Sequence, residues 1–144
     1  IKLAKQHAKL ANRRKWLLHQ ITTYLVNENQ VICMEDLNVS GMVKNHCLAK
    51  SVENSSFGEI KRILQYKCEW YGRKLIQVGR FYPSSKTCNV CGYVNKELRL
   101  SDRKWTCPEC GTKHDRDINA AMNILSEGER KIGIRTAEFT LMER

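Results

Sequence analysis

The chain has 144 residues, with 25 Lys and Arg against 15 Asp and Glu, giving a formal net charge of +10. That length allows one domain with a modest core and a small metal-stapled insert, and no apolar run is long enough to span a bilayer. The charge excess suits a polyanion, nucleic acid above all, although a solvated basic face or one docked on acidic segments elsewhere reads the same way. Seven cysteines, of which Cys33, Cys47 and Cys68 have no Cys-x-x-Cys partner, and no secretory signal favour a reducing cytoplasm. The first residue is Ile1 rather than Met, which reads as a fragment or a processed chain.

From Ile1 to about Asn27, Leu3, Leu10, Leu17, Leu18, Ile21, Leu25 and Val26 recur at helical spacing, uninterrupted by Pro or Gly. Six basic residues, from Lys2 to Lys15, precede the first acid, Glu28. Val31-Ile32-Cys33-Met34 then reads as a strand buried on both faces, of the kind found in parallel or mixed sheets. Glu35 ends it, where open α/β sheets place their active sites, or where a strand merely exits into solvent. Asp36 would face the other way and cap a turn. Residues 38–55 read as a polar loop containing His46 and Cys47.

Ser56-Phe57-Gly58-Glu59 has the form of a capping box. It would open a helix whose apolar stripe is Phe57, Ile60, Ile63, Leu64, Cys68 and Tyr71 and which Gly72 stops. Lys74 to Val78 reads as a strand. Next come two Cys-x-x-Cys pairs, Cys88/Cys91 and Cys107/Cys110, with 15 residues between Cys91 and Cys107. This spacing is that of a four-cysteine zinc site, and Gly92 and Gly111 after each pair permit the tight turns it needs. Four thiolates give a closed structural tetrahedron rather than a catalytic centre; two disulfides or free thiols are the alternative. Lys86, Lys96, Arg99, Arg103 and Lys104 make this insert basic, which could grip phosphates or only keep it in solution. The segment from Asp115 to Ser126 reads as a turn into a helix, with either Asp115 or Asp117 as its cap.

These motifs together resemble the C-terminal half of the TnpB/OrfB transposon-encoded proteins of insertion sequences, relatives of type V CRISPR effector nucleases. The resemblance rests on Asn12-Arg13 with Leu17-Leu18-His19, Met34-Glu35-Asp36-Leu37, Ser84-Ser85-Lys86-Thr87-Cys88, Cys91-Gly92 and Cys107-Pro108-Glu109-Cys110-Gly111. It continues through His114-Asp115-Arg116-Asp117-Ile118-Asn119-Ala120-Ala121-Met122-Asn123-Ile124. It implies an α/β fold: a partial RNase H-like (RuvC-like) domain lacking its N-terminal strands, with an inserted four-cysteine zinc ribbon. The expected boundaries are 1–81 for the nuclease core, 82–114 for the ribbon, 115–127 for the last nuclease helix and 128–144 for a tail.

The resemblance implies further that Glu35 and Asp117 are the second and third catalytic acids and hold Mg2+, while Cys88, Cys91, Cys107 and Cys110 hold structural Zn2+. DNA and a guide RNA would be the partners, with Lys86 and Arg116 joining Arg13, Arg14 and Lys15 as contacts. The first catalytic Asp of the family stands before the first helix. The aspartates here are Asp36, Asp102, Asp115 and Asp117, none in that place. The 144 residues alone are therefore expected to be inactive as a nuclease, and poorly stable. The other readings are a nucleic-acid-binding ribbon module without catalysis, and a zinc-ribbon adaptor that binds protein.

Overall fold

The structure is a computed structural model and describes residues 2–37, 56–99 and 101–133. The loop expected over residues 38–55, with His46 and Cys47, lies outside the described residues. In chain order the elements are α1 (Lys2–Glu28), β1 (Val31–Glu35), α2 (Phe57–Trp70), β2 (Lys74–Val78), β3 (Lys104–Thr106), β4 (Lys113–Asp115) and α3 (Arg116–Ile132). The chain divides into two compact units, Ile1–Ile32 with Leu37–Ile76, and Cys33–Asp36 with Gln77–Arg144.

In the first unit α1 packs on α2. Val26 and Ile63 are fully buried and Leu64 and Cys68 nearly so; complete burial of an aliphatic side chain contributes about 1.5–3 kcal/mol. The ammonium of Lys67 is buried with them. Its Nζ donates to the His19 carbonyl (2.8 Å), Thr22 Oγ1 (2.9 Å) and Thr23 Oγ1 (2.6 Å), so each of its three protons has an acceptor. The apolar stripe of α1 is only partly used. Leu3, Leu10 and Leu17 are 72%, 49% and 51% exposed, and burial is confined to the last turns.

Phe57 does open α2, but the expected capping box is absent. Ser56 is in the left-handed region (φ 55°) and its side chain makes no cap hydrogen bond. Glu59 turns instead to Arg62, at 2.7 and 3.0 Å. At the other end Gly72, with φ 65°, ends α2 as expected.

Strands β1 and β2 pair in a two-stranded sheet. The pairing is parallel: Lys74 N–H donates to the Gln30 carbonyl (3.0 Å) at one end, and Asp36 N–H to the Val78 carbonyl (3.0 Å) at the other. β1 is half-buried throughout. In the second unit, β3 and β4 form an antiparallel hairpin with Trp105 opposite His114.

Helix α3 continues past residue 127, so the expected tail begins as helix. Gly128 is accommodated as a buried helical residue, and the helix stops at Gly133 (φ 71°). The Glu127–Arg130 ion pair (2.7 Å) braces the last turn, and Lys131 Nζ donates to the Gln77 carbonyl of β2 (2.8 Å). These contacts offset part of the roughly 1 kcal/mol that an interior glycine costs a helix.

Candidate metal centre and the acidic helix start

The two Cys-x-x-Cys turns repeat the same backbone pattern. In the first, Gly92 N–H donates to the Cys88 carbonyl (2.9 Å) and Cys88 N–H to the Tyr93 carbonyl (2.8 Å). In the second, Gly111 N–H donates to the Cys107 carbonyl (2.9 Å) and Cys107 N–H to the Thr112 carbonyl (2.9 Å). Gly92 and Gly111 both sit at positive φ, 78° and 70°, which any side chain would strain. A bridge between Thr87 and Val94 closes the first turn, as the Thr106–Lys113 pair closes the second. Each turn thus delivers one buried cysteine, Cys88 or Cys107, and one exposed cysteine, Cys91 or Cys110.

The four sulfurs lie within 4.8 Å of one another, with Cys88 Sγ 3.7 Å from Cys110 Sγ and Cys91 Sγ 3.5 Å from Cys107 Sγ. A tetrahedral zinc thiolate with bonds of about 2.3 Å has edges of about 3.8 Å. The donor set therefore fits a metal such as zinc, and the sulfurs are too far apart for disulfides. Thiolates this close repel one another, and a cation between them lets all four ionise. The surroundings already favour charge at one site: hydrogen bonding by the Thr112 hydroxyl and then its amide holds the Cys110 thiol down to about 6. At Cys91 the Tyr93 amide, the largest single influence, favours the thiolate. Desolvation and the neighbouring sulfurs of Cys107, Cys110 and Cys88 together prevail and push it up to about 12.

A fifth residue reaches this cluster. His114 is buried on β4, its Nε2 is 3.1 Å from Cys88 Sγ, and its ring lies 4.7 Å from that of Trp105. With its proton on Nε2 it donates to the sulfur, a contact that orients a thiolate ligand and offsets part of its charge. Cys88, Leu98, Trp105 and Cys107, with Tyr93 against them, form the small core around the sulfurs. The role of His114 is not evident from spacing alone, because four cysteines already complete the ligand set.

The hairpin runs directly into α3. Asp115 ends β4 and caps the helix, its carboxylate accepting from Asp117 N–H (3.0 Å) and Ile118 N–H (3.3 Å). Of the two aspartates that could cap, Asp115 does so, which leaves the Asp117 carboxylate outside the cap. Asp117 sits in the first turn, 74% exposed, 3.4 Å from the equally exposed guanidinium of Arg103. An exposed pair of this kind is worth under about 1 kcal/mol, so Asp117 can exchange it for another cation. The helix N-terminus favours its negative charge.

Glu35 closes β1, half-buried, in the same compact unit as Asp117. Its neighbour Asp36 is engaged by Arg80, at 3.5 Å. The far half of α3 reaches both strands: Lys131 contacts β2, and burial followed by the Glu129 carboxylate pushes the Cys33 thiol of β1 up.

Arg13, Arg14 and Lys15 are exposed on α1. Arg13 lines an open groove of about 530 Å³ together with Lys5, Ala8, Lys9, Asn12 and Trp16. Lys86 is half-buried and donates to the Lys96 carbonyl (3.2 Å) within the ribbon. Arg116 is half-buried beside the cap, and its amide donates to the Arg103 carbonyl (2.8 Å).

Residues 57–124, which hold the cysteine cluster and the start of α3, match the family model described as Cas12f1-like, TNB domain. A candidate RNA-guided DNA endonuclease of Streptomyces pristinaespiralis is 47% identical over 88% of this chain and 31% of its own length. The TnpB-like protein L79 of Acanthamoeba polyphaga mimivirus is 33% identical over 88% of this chain and 25% of its own length. The chain is thus similar to TnpB-type proteins over most of its length. Its fold matches a chain in the cryo-EM structure of the Cas12f1-sgRNA-target DNA complex, with a TM-score of 0.62, 24% identity, and coverage of 82% of this chain and 35% of that one. The chain spans about a third or less of the length of these relatives. Among its described residues no helix is long and apolar enough to cross a membrane.

Proposed function

We propose that this TnpB-type chain supplies two acids, Glu35 and Asp117, to a RuvC-like, RNA-guided DNA endonuclease centre, and that its four cysteines hold a structural zinc ion. The observation that carries the reading is the division of labour at the start of α3. Asp115 satisfies the helix cap, and Asp117 beside it keeps an exposed carboxylate. The likeness to a candidate RNA-guided DNA endonuclease over nearly all of the chain supports the same reading. Cytoplasmic DNA and a guide RNA are the corresponding partners, with the exposed basic face of α1 as the surface that would meet their phosphates.

Hard carboxylate oxygens are the donors that suit Mg2+. Glu35 and Asp117 would hold two such ions, which when bound would supply Lewis-acid activation of water and charge stabilisation at a phosphodiester. Glu35, held at the end of a paired strand, fixes one side of the site. Asp117 would exchange its exposed Arg103 partner for a bound metal, while the helix N-terminus and the Asp115 cap keep its backbone in place. Two carboxylates are a sparse set for two ions, so the 144 residues by themselves are expected not to cleave DNA.

Titration of the chain with Mn2+ tests the site directly. Paramagnetic broadening of the NMR signals flanking both Glu35 and Asp117, lost on Glu35→Gln or Asp117→Asn, is the expected result; broadening at neither would remove the mechanism. Robust Mg2+-dependent cleavage of guide-matched DNA by the 144 residues, abolished by Glu35→Ala, would overturn the expected inactivity. Salt-sensitive nucleic-acid binding without Mn2+ binding would leave the module without catalysis.

A further inference from the structure

Two buried asparagines of α3 have no part in the site described so far. Asn119 and Asn123 are 2% and 5% exposed. Both reach back to the turn segment that carries Cys88. Asn119 Nδ2 donates to the Thr87 carbonyl (2.7 Å) and more weakly to the Ser84 carbonyl (3.5 Å), while its Oδ1 accepts from Asn89 N–H (3.0 Å). Asn123 Nδ2 donates to the same two carbonyls, of Thr87 (2.6 Å) and Ser84 (2.8 Å). The peptide groups on either side of Cys88 are therefore held by one face of α3, since residues four apart are neighbours on a helix.

The second cysteine turn reaches the same helix by another route. Its hairpin continues through His114 into Asp115, which caps Asp117 and Ile118. Both halves of the cysteine cluster thus converge on the first turns of α3, one through the covalent chain and the other through the asparagine pair.

We infer that Asn119 and Asn123 are positioning residues that couple metal occupancy of the four-cysteine site to the conformation of the α3 N-terminus, and so to Asp117. The link to Asp117 rests on the function proposed above; the coupling itself does not. A metal that fixes Cys88 fixes Thr87 and Asn89. The asparagines then hold α3 in register with the hairpin that caps it. Replacing Asn by Asp at either position preserves size but sets a carboxylate oxygen against the Thr87 and Ser84 carbonyls, removing the donors.

The test is hydrogen exchange of the Asp117, Ile118 and Asn119 amides in the 144-residue chain, with zinc loaded and after chelation, together with zinc affinity by chelator competition. In the unaltered chain zinc should slow exchange at these amides by about tenfold or more. In Asn119→Asp/Asn123→Asp that zinc-dependent gain should vanish while α1 and α2 stay protected. Because coupling is reciprocal, zinc affinity should fall by the same factor. Asn123→Ser, which removes two donor contacts but leaves Asn119, should show an intermediate loss. Unchanged exchange on chelation overturns the inference. So does a variant with uniformly faster exchange in α3 but an undiminished response to zinc, which would make the asparagines merely structural. Neither readout involves cleavage, so loss of the nuclease reading would leave this result standing, and the converse also holds.

Discussion

In the α1–α2 pair, Val26, Ile63 and Leu64 leave water and an ammonium is buried among three oxygen acceptors. In the ribbon the fully buried side chains are Cys88 and Cys107, with Leu98, Trp105 and Tyr93 around them. The helix pair is held by ordinary burial. The ribbon encloses too little apolar surface for that, and its two matched turns present sulfurs where another fold would present leucines. A metal-thiolate bond is much stronger than a buried methyl group and depends on one ion. The two regions should therefore fail under different conditions.

The sharpest way to break the comparison is Cys88→Ser. Structural zinc sites contribute about 10–16 kcal/mol of apparent binding free energy near neutral pH, far more than any single contact in the helix pair. Loss of zinc by elemental analysis, with collapse of amide protection across residues 84–119 and retention of it in α1 and α2, is the expected outcome. Equal loss in both would make them one cooperative unit. Acid should act in the same direction. With Cys110 held down to about 6, its thiolate contribution is present above its ordinary range and lost as pH falls through that value, so zinc affinity should drop most steeply below pH 6. Cys91, pushed up to about 12, must release a proton when zinc binds near neutrality, which calorimetry in buffers of different ionisation enthalpy would detect.

Lys67 tests the helix pair. Burial lowers its pKa from the ordinary 10.5. The unfolded chain then binds more protons than the folded one between the lowered value and 10.5, and stability should rise with pH across that window. Lys67→Ala should cost about 2–4 kcal/mol by denaturant titration, through lost packing and unmet acceptors. Lys67→Met should cost less and erase the pH slope, leaving zinc affinity untouched.

His114→Gln returns to the ribbon with a smaller effect. Removing an outer partner of a metal ligand lowers affinity by about 10–100-fold, and because Gln keeps an N–H within reach the lower end is expected. Chelator competition would measure it. An unchanged affinity would make His114 only a partner for the Trp105 ring.

How much of this was legible follows from what each signal depends on. The four cysteines, the two glycines behind them, the strand ending at Glu35 and the stop at Gly72 are set by local chemistry, and spacing reveals them. His114, Asn119 and Asn123 act through contacts with the turn segment around Cys88, far away in sequence, and their types alone give no hint of partners such as Ser84 and Thr87. The stretch from Gly128 reads as a tail, yet the helix runs on to Ile132, braced by the Glu127–Arg130 ion pair and the Lys131 contact. The apolar repeat of Leu3, Leu10 and Leu17 correctly indicates a helix but not its burial, because periodicity gives the face without what covers it.

The two helix starts give the smallest and cleanest contrast. Ser56 begins a sequence with every mark of a capping box, yet its backbone is left-handed and its hydroxyl caps nothing. Asp115 lacks that pattern, since Ile118 stands where the box needs Glu or Gln, yet its carboxylate accepts two amides. A side chain caps well when the cap residue's own backbone is extended, as at Asp115 (ψ 128°), and does not cap when that backbone turns left-handed, as at Ser56 (φ 55°). Asp115→Ala should therefore cost about 1 kcal/mol. Ser56→Ala should change little through capping, and Ser56→Gly should stabilise by several tenths of a kcal/mol or more by relieving the left-handed strain. A thermal melt of all three variants decides it: a Ser56→Ala loss as large as that of Asp115→Ala would mean that Ser56 caps α2 in solution after all.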